Sequence, residues 1–215
     1  MKEKQSKVSP CKNSTPDSVN SLSRPEGATQ PTGNPKGCSP LAHVVLYQPE
    51  IPQNTGNIGR TCVATGAKLW IVRPAGFRLD DKKLRRAGMD YWQHLQLGDA
   101  NNWEHFIDQL GDEMSKQDKL PPPDRSPPAH RIFYLSKFAK REVWDADFQI
   151  GDVFVFGSES SGLPDRILQH DAPEALRLPM SEHVRSLNLA TTAGIVLYEH
   201  QRQIRLQQSS KQTRL

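Results

Sequence analysis

AHVVLYQPEIPQNTGNIGRTCVATGAKLWIVRP, residues 42–74, reads as strand, helix and strand in close succession. Ala42–Tyr47 is a short apolar, β-branched run bounded by Pro49 and Pro52, the pattern of a buried strand. Behind it, Ile58, Cys62 and Ala64/Thr65 recur at helical spacing, with Asn54 or Thr55 available as N-cap and Gly66 as C-cap. Lys68–Val72 gives the second strand, and Pro74 ends it.

The same alternation extends outward. Asp81–Gly88, within DDKKLRRAG at residues 80–88, predicts a short helix with acids at its start and bases later, matching the macrodipole. His94–Leu97 predicts a strand, Asn101–Leu110 a helix, and residues 111–130, with five prolines, an exposed Pro-rich loop. Three more strands are expected at Arg131–Leu135, Asp152–Gly157 and Ala175–Pro179. Ser186–Gln203 predicts a long helix, apolar nearly all round from Leu187 to Tyr198 and hence buried in the core or against a partner subunit. The fold class is therefore α/β: a mainly parallel sheet of about five to six strands with helices on both faces. In such sheets ligands sit beyond the carboxyl ends of the strands.

The 215 residues suit one domain with extensions. The polarity behind a mean hydropathy of -0.67 is concentrated. Residues 1–40 hold no Phe, Trp or Tyr, and only seven hydrophobic residues against six Pro and seven Ser. That composition cannot offset the entropy of ordering, so a disordered extension is expected there. The domain is expected over 41–206 and a basic tail over 207–215. No secretory signal or membrane-spanning run is legible, and a soluble, cytoplasmic protein is expected. Cys11, Cys38 and Cys62 offer neither a disulfide framework nor a CxxC pair, and the seven His lack ligand spacing, so no metal is expected. Residues 41–200 carry 18 basic and 21 acidic side chains, whereas the first forty carry six and three and the last fifteen four and none. The pI near 9.0 thus comes from the two ends, which suit either a polyanion or simple solubility.

Three strand ends are followed by polar, Gly- and Pro-rich runs: PEIPQNTGNIGR after the first strand, GSESSGLP after DVFVF, and PMSEHVRSLN after ALRL. Each has a structural reading: Asn54 and Thr55 as caps, Gly157 and Gly162 as turn glycines, Pro164 as a first-turn proline, Ser186 as an N-cap. No GxGxxG follows a strand, and neither GxxxxGK[ST] nor GxSxG occurs, which removes the common dinucleotide, triphosphate and hydrolase sites. Gly-rich strand-end loops expose backbone N–H and C=O groups that suit the edge of a flat heterocycle such as adenine.

These residues carry a resemblance. LYQPEIPQNTGNIGRTCVATGAKL, FRLDDKKLRRAGMDYW, FVFGSESSGLP and LPMSEHVRSLNLATTAGIVLYE, in that order and spacing, resemble the SPOUT family of knotted RNA methyltransferases. Within it they are most similar to the tRNA wobble-nucleotide ribose 2′-O-methyltransferases acting on cytidine or uridine. The resemblance spans about His43 to Gln203. It implies a C-terminal deep trefoil knot, S-adenosylmethionine as methyl donor, a tRNA substrate, and a homodimer whose active site is completed across the interface. Carried over by motif, Arg60, Asn54, Glu159, Ser186 and Asn188 are the expected catalytic residues, and Leu135, Gly157, Leu178, Ser186 and Leu187 the expected cofactor pocket. Arg60 with the basic run Arg78, Lys82, Lys83, Arg85 and Arg86 is expected to meet RNA phosphates. Because a guanidinium is a poor base, Arg60 is expected to clamp a phosphate and orient the hydroxyl, with Glu159 and Asn188 orienting Arg60 or the adenosyl group. A 2′-O-methyltransferase of another tRNA position or of ribosomal RNA, and a non-catalytic RNA- or adenosyl-binding module, are the alternatives.

Overall fold

The computed structural model describes residues 39–78, 91–117 and 131–212. Seven strands are found among them: β1 (His43–Tyr47), β2 (Lys68–Val72), β3 (Leu97–Ala100), β4 (Ile132–Leu135), β5 (Arg141–Glu142), β6 (Val153–Phe156) and β7 (Ala175–Arg177). They form one sheet in the order β3-β2-β1-β6-β4-β7-β5, every pairing parallel. The strand count exceeds the sequence expectation through the two-residue β5 at the edge. The helices are α1 (Pro52–Thr65), α2 (Trp103–Gln117) and α3 (Leu189–Gln212).

The apolar strands are continuous because both sheet faces are covered. Val44, Leu46, Leu69, Ile71, Phe154 and Phe156 point to one face, where Ile58 and Cys62 of α1 and Val196 and Leu197 of α3 close over them. Their neighbours Val45, Trp70, Val72, Val153 and Val155 point to the other face, against Phe106 and Leu110 of α2. Trp70 and Phe106 meet edge to face at 5.4 Å. Cys62 is fully buried in this core, and burial pushes its thiol far above the usual range, which fits packing rather than chemistry.

Several element boundaries differ from the sequence reading. Helix α1 starts at Pro52, not at an Asn54 or Thr55 cap; its N-cap Ile51 makes no side-chain capping bond, and proline fills the first turn. Gly66 does end it, at φ 71°, with Ala67 N donating to Cys62 O at 2.9 Å. The strand expected at His94–Leu97 is displaced to Leu97–Ala100, behind a 3-10 turn at Trp92–His94. LGDA has little strand propensity, but Gly98 leaves room for Trp70, whose indole lies 2.2 Å from where a Cβ would stand. Helix α2 continues through 111–117, where a loop was expected; an ion pair from Glu113 to Lys68 of β2 holds this part, which lacks apolar periodicity.

Helix α3 begins at Leu189 and runs to Gln212, past the expected boundary at 206. Asn188, not Ser186, caps it: Asn188 Oδ1 accepts from Ala190 N at 2.9 Å and Thr191 N at 3.3 Å. Within a single chain it is not buried all round, which leaves the partner-subunit alternative open. Ala193, Val196, Leu197 and Ile204 face the core, while Tyr198 and Leu206 are more than half exposed. Its polar half is tied down by glutamines, with Gln203 Oε1 accepting from Phe148 N at 2.8 Å and Gln207 Nε2 donating to Phe148 O at 2.9 Å. The helix expected at Asp81–Gly88, most of the Pro-rich loop and the extension expected at 1–40 lie outside the described residues, Ser39 and Pro40 apart.

In-register parallel pairing brings the ends of β1, β6 and β4 to one edge: Leu46 pairs with Phe156, and Phe156 with Leu135. Strand β7 enters between β4 and β5, two strands that the short segment 136–140 had already joined. The segments following β1, β4, β6 and β7 therefore meet at one end of the sheet.

Candidate active site

The segment after β6 is a closed loop. Ser158 N donates to Gly162 O at 3.2 Å, Gly162 N returns to Ser158 O at 3.0 Å, and the Ser158 and Ser161 hydroxyls pair at 2.7 Å. Gly157 must lack a side chain, since a Cβ there would stand 2.1 Å from the Gly162 carbonyl carbon, and Gly162 takes a left-handed φ of 69°. Closing the loop presents Glu159 to the start of α1. Its Oε2 accepts from Glu50 N at 2.8 Å, and its Oε1 from Ile51 N at 3.3 Å and Asn54 Nδ2 at 3.0 Å. A carboxylate placed at a helix N-terminus is favoured by the helix dipole. In return Glu50 accepts from Ser160 N at 3.1 Å and from the Ser160 hydroxyl.

Asn54 continues this chain, its Oδ1 accepting from Asn188 Nδ2 at 2.9 Å. Glu159, Asn54 and Asn188, one from each strand-end run, are thus joined in a single hydrogen-bonded series. They line a cavity of about 700 Å³. Leu135, Gly157, Leu178, Ser186 and Leu187, the five residues expected to form the cofactor pocket, line it as well. Leu178 is buried and Leu135 and Leu187 half-buried, giving the cavity an apolar wall, while Glu159, Asn54, Ser186 and Asn188 are among the many polar residues that line the rest of it. That volume and lining suit a cofactor-sized molecule with a flat heterocycle. Among the described residues no group of three or more His, Cys, Asp or Glu is placed to hold a metal ion.

Arg60 is not among the residues lining this cavity. It is exposed on α1, and its guanidinium lies 5.0 Å from the centre of the Tyr91 ring, while the Tyr91 hydroxyl donates to Gly56 O at 2.7 Å. Arg78 is exposed; Lys82, Lys83, Arg85 and Arg86 lie outside the described residues.

The sequence reading assigned no role to Glu50, Tyr91 or the cavity wall formed by Ser136, Lys137, Phe138 and His170. Glu50 stands inside the PEIP run, but its partner Ser160 is 110 residues away, so no local pattern marks the pair.

A Methylovorus glucosotrophus protein named tRNA (cytidine(34)-2'-O)-methyltransferase is 43% identical over 161 residues, covering 74% of this chain and 94% of that one. A solved structure giving insights into 2-OH methylation of C/U34 on tRNA aligns with TM-score 0.64 and 40% identity, over 75% of this chain and 95% of the other. An AdoMet-bound rRNA methyltransferase from Sinorhizobium meliloti aligns with TM-score 0.60 and 25% identity, over 76% and 60%. Residues 42–198, from the start of β1 well into α3, match the SpoU rRNA Methylase family, and the chain belongs to it.

Proposed function

We propose that this protein transfers a methyl group from S-adenosylmethionine to the ribose 2′-hydroxyl of cytidine or uridine at the wobble position of tRNA. The observation that carries this is the convergence of three strand-end runs on one cavity lined by Leu135, Gly157, Leu178, Ser186 and Leu187. Relatives 40–43% identical are named for that reaction at nucleotide 34, which supports the substrate. The Sinorhizobium meliloti relative is AdoMet-bound, which supports the donor.

Bound there, S-adenosylmethionine supplies a methyl group on a sulfonium, already activated for displacement. The protein's part is then to position the ribose hydroxyl in line, exclude water and ease the loss of its proton. Leu135, Leu178 and Leu187 would seat the adenosyl group. Asn54 bridges Glu159 and Asn188, and the role of the three is to hold the three runs at fixed separation around it. Arg60, charged and outside the cavity of its own chain, would clamp the RNA phosphate and orient the hydroxyl. A homodimer in which Arg60 reaches the cavity of a second copy reconciles its position with that role. The C-terminal knot belongs to the same proposal, and the insertion of β7 between β4 and β5 supports it. A cytoplasmic location follows from the tRNA substrate; among the described residues no helix is long and apolar enough to cross a membrane.

The test is transfer from labelled S-adenosylmethionine to unmodified tRNA, with Arg60→Ala as control and mapping of the methylated ribose. Label at the wobble ribose, lost in the variant, is expected. Label elsewhere would keep the chemistry and overturn the target. No transfer to tRNA or ribosomal RNA by folded protein that binds the cofactor would leave only a binding module.

A further inference from the structure

We propose that Phe138, with Lys137 and His170 beside it, is a stacking platform for a nucleobase of the RNA substrate at the rim of the cavity. The proposal rests on the methyl-transfer reading above and extends it to how the substrate is held.

Strand β4 ends at Leu135, and the chain then makes a tight turn held at both ends. Ser136 N donates to Leu176 O at 2.9 Å, and Ala139, which is buried, donates from its N to Ser136 O at 3.3 Å. Inside the turn the Ser136 hydroxyl accepts from Phe138 N at 3.2 Å and pairs with His170 Nδ1 at 3.0 Å. With Ser136 and Ala139 drawn inward, Lys137 and Phe138 are pushed out at the tip. Phe138 is 65% exposed, the most exposed large apolar side chain among the described residues, and it borders the cavity together with Lys137 and His170.

An isolated exposed phenylalanine is ordinary on a protein surface. This one sits on a pinned turn beside a cofactor-sized cavity. The His170 ring meets it edge-on at 5.3 Å, and the Lys137 ammonium lies 5.0 Å from its centre. A flat apolar ring next to a mobile cation is the complement of a nucleotide: the base stacks on the ring and the phosphate meets the ammonium. Lys137 can yield the ring face to an arriving base, since base–aromatic stacking outweighs an exposed cation–π contact. The cofactor's adenine is a flat heterocycle too, but the half-buried Leu135 and Leu187 and buried Leu178 suit an enclosed ligand. A ring two-thirds in solvent suits one that arrives from outside.

The experiment compares wild type, Phe138→Ala, Phe138→Trp and Lys137→Ala by steady-state methyl transfer to unmodified tRNA, S-adenosylmethionine affinity and sedimentation. Phe138→Ala is expected to raise KM for tRNA roughly tenfold, with kcat, cofactor affinity and thermal midpoint unchanged. Phe138→Trp should restore KM, and Lys137→Ala should raise it less and weaken its salt dependence. An unchanged KM overturns the proposal. So does an equal loss of cofactor affinity, which would assign the ring to the adenine, or a changed assembly state, which would assign it to a protein interface. Wild-type protein that transfers no methyl group would count against the methyl-transfer reading alone. The platform is then decided by tRNA-binding anisotropy, where equal affinities for wild type and Phe138→Ala overturn it and a roughly tenfold loss supports it.

Discussion

Asn188 makes hydrogen bonds whose directions can all be assigned from one end. Its Oδ1 accepts two backbone N–H groups of α3, so its amide nitrogen must face Asn54. Asn54 therefore shows Asn188 its oxygen and turns its own nitrogen to Glu159, which must accept. One helix cap thus sets the orientation of two amides and the need for an acceptor oxygen at Glu159 across three loops. Asn188→Ala removes cap and series together and should cost about 1–2 kcal/mol of stability along with activity. Asn188→Asp separates the two: aspartate caps a helix well, but its carboxylate meets the Asn54 oxygen, and flipping Asn54 only moves the clash of acceptors to Glu159. The expectation is a thermal midpoint near wild type with kcat/KM down about tenfold, corresponding to one broken part-buried hydrogen bond of about 1.4 kcal/mol. Full activity in Asn188→Asp would show that the series does not position the site.

At the scale of elements, the junction of α3 with the segment leading into β6 holds two buried groups that titrate in opposite senses. Asp152 is pushed up to about 6 by burial, against the hydrogen bond from Gln149 N and the nearby Arg131 charge, with Asp147 adding to the rise. His200, whose Nε2 donates to Gln149 O at 2.9 Å, is held below its ordinary value by burial, against that hydrogen bond. Unfolded, the aspartate ionises near 4; between there and about 6 the folded state holds the extra proton, so stability falls as pH rises and then levels. For His200 the unfolded state takes up the proton below about 6.5, so stability falls as pH drops. The two slopes oppose each other in wild type. Asp152→Asn should therefore lose stability more steeply on acidification from pH 6.5 to 4, and at pH 7 gain up to about 2 kcal/mol over wild type, read from urea midpoints. A pH-independent difference would mean that the carboxyl does not titrate there. None of this junction was legible in the sequence. The strands β1 and β6 were, because burial on both faces writes itself as unbroken apolar runs. The starts of α1 and α3 were misread where side chains serve distant partners: Asn54 serves Glu159 and Asn188, 105 and 134 residues away, instead of capping its own helix. Strand β3 was displaced because its pairing depends on Trp70 filling the space over Gly98.

Along the whole chain, the net positive charge is carried by the two ends of the sequence. Residues 41–200, which contain every described cavity-lining residue, carry 18 basic and 21 acidic side chains, so this part alone has no net attraction for a polyanion. The first 38 residues add six basic and three acidic side chains, and the last fifteen four basic and none acidic. If the ends draw the tRNA in while the domain places it, affinity and turnover separate on truncation. Removing residues 1–38 should leave kcat at saturating tRNA unchanged, since every described cavity-lining residue is retained, but weaken tRNA binding. Each phosphate contact contributes about 0.7–0.9 to the slope of log affinity against log salt, so loss of six cations lowers that slope by at most about 4–5. Titrating tRNA between about 50 and 200 mM salt, the range over which such contacts change affinity by orders of magnitude, reads the slope directly. An unchanged slope would place the phosphate contacts on the domain itself, where Arg60, Arg78 and Lys137 are exposed cations on or beside the strand-end loops. Residues 41–200 would then have to hold the substrate against an unfavourable net charge by local geometry alone.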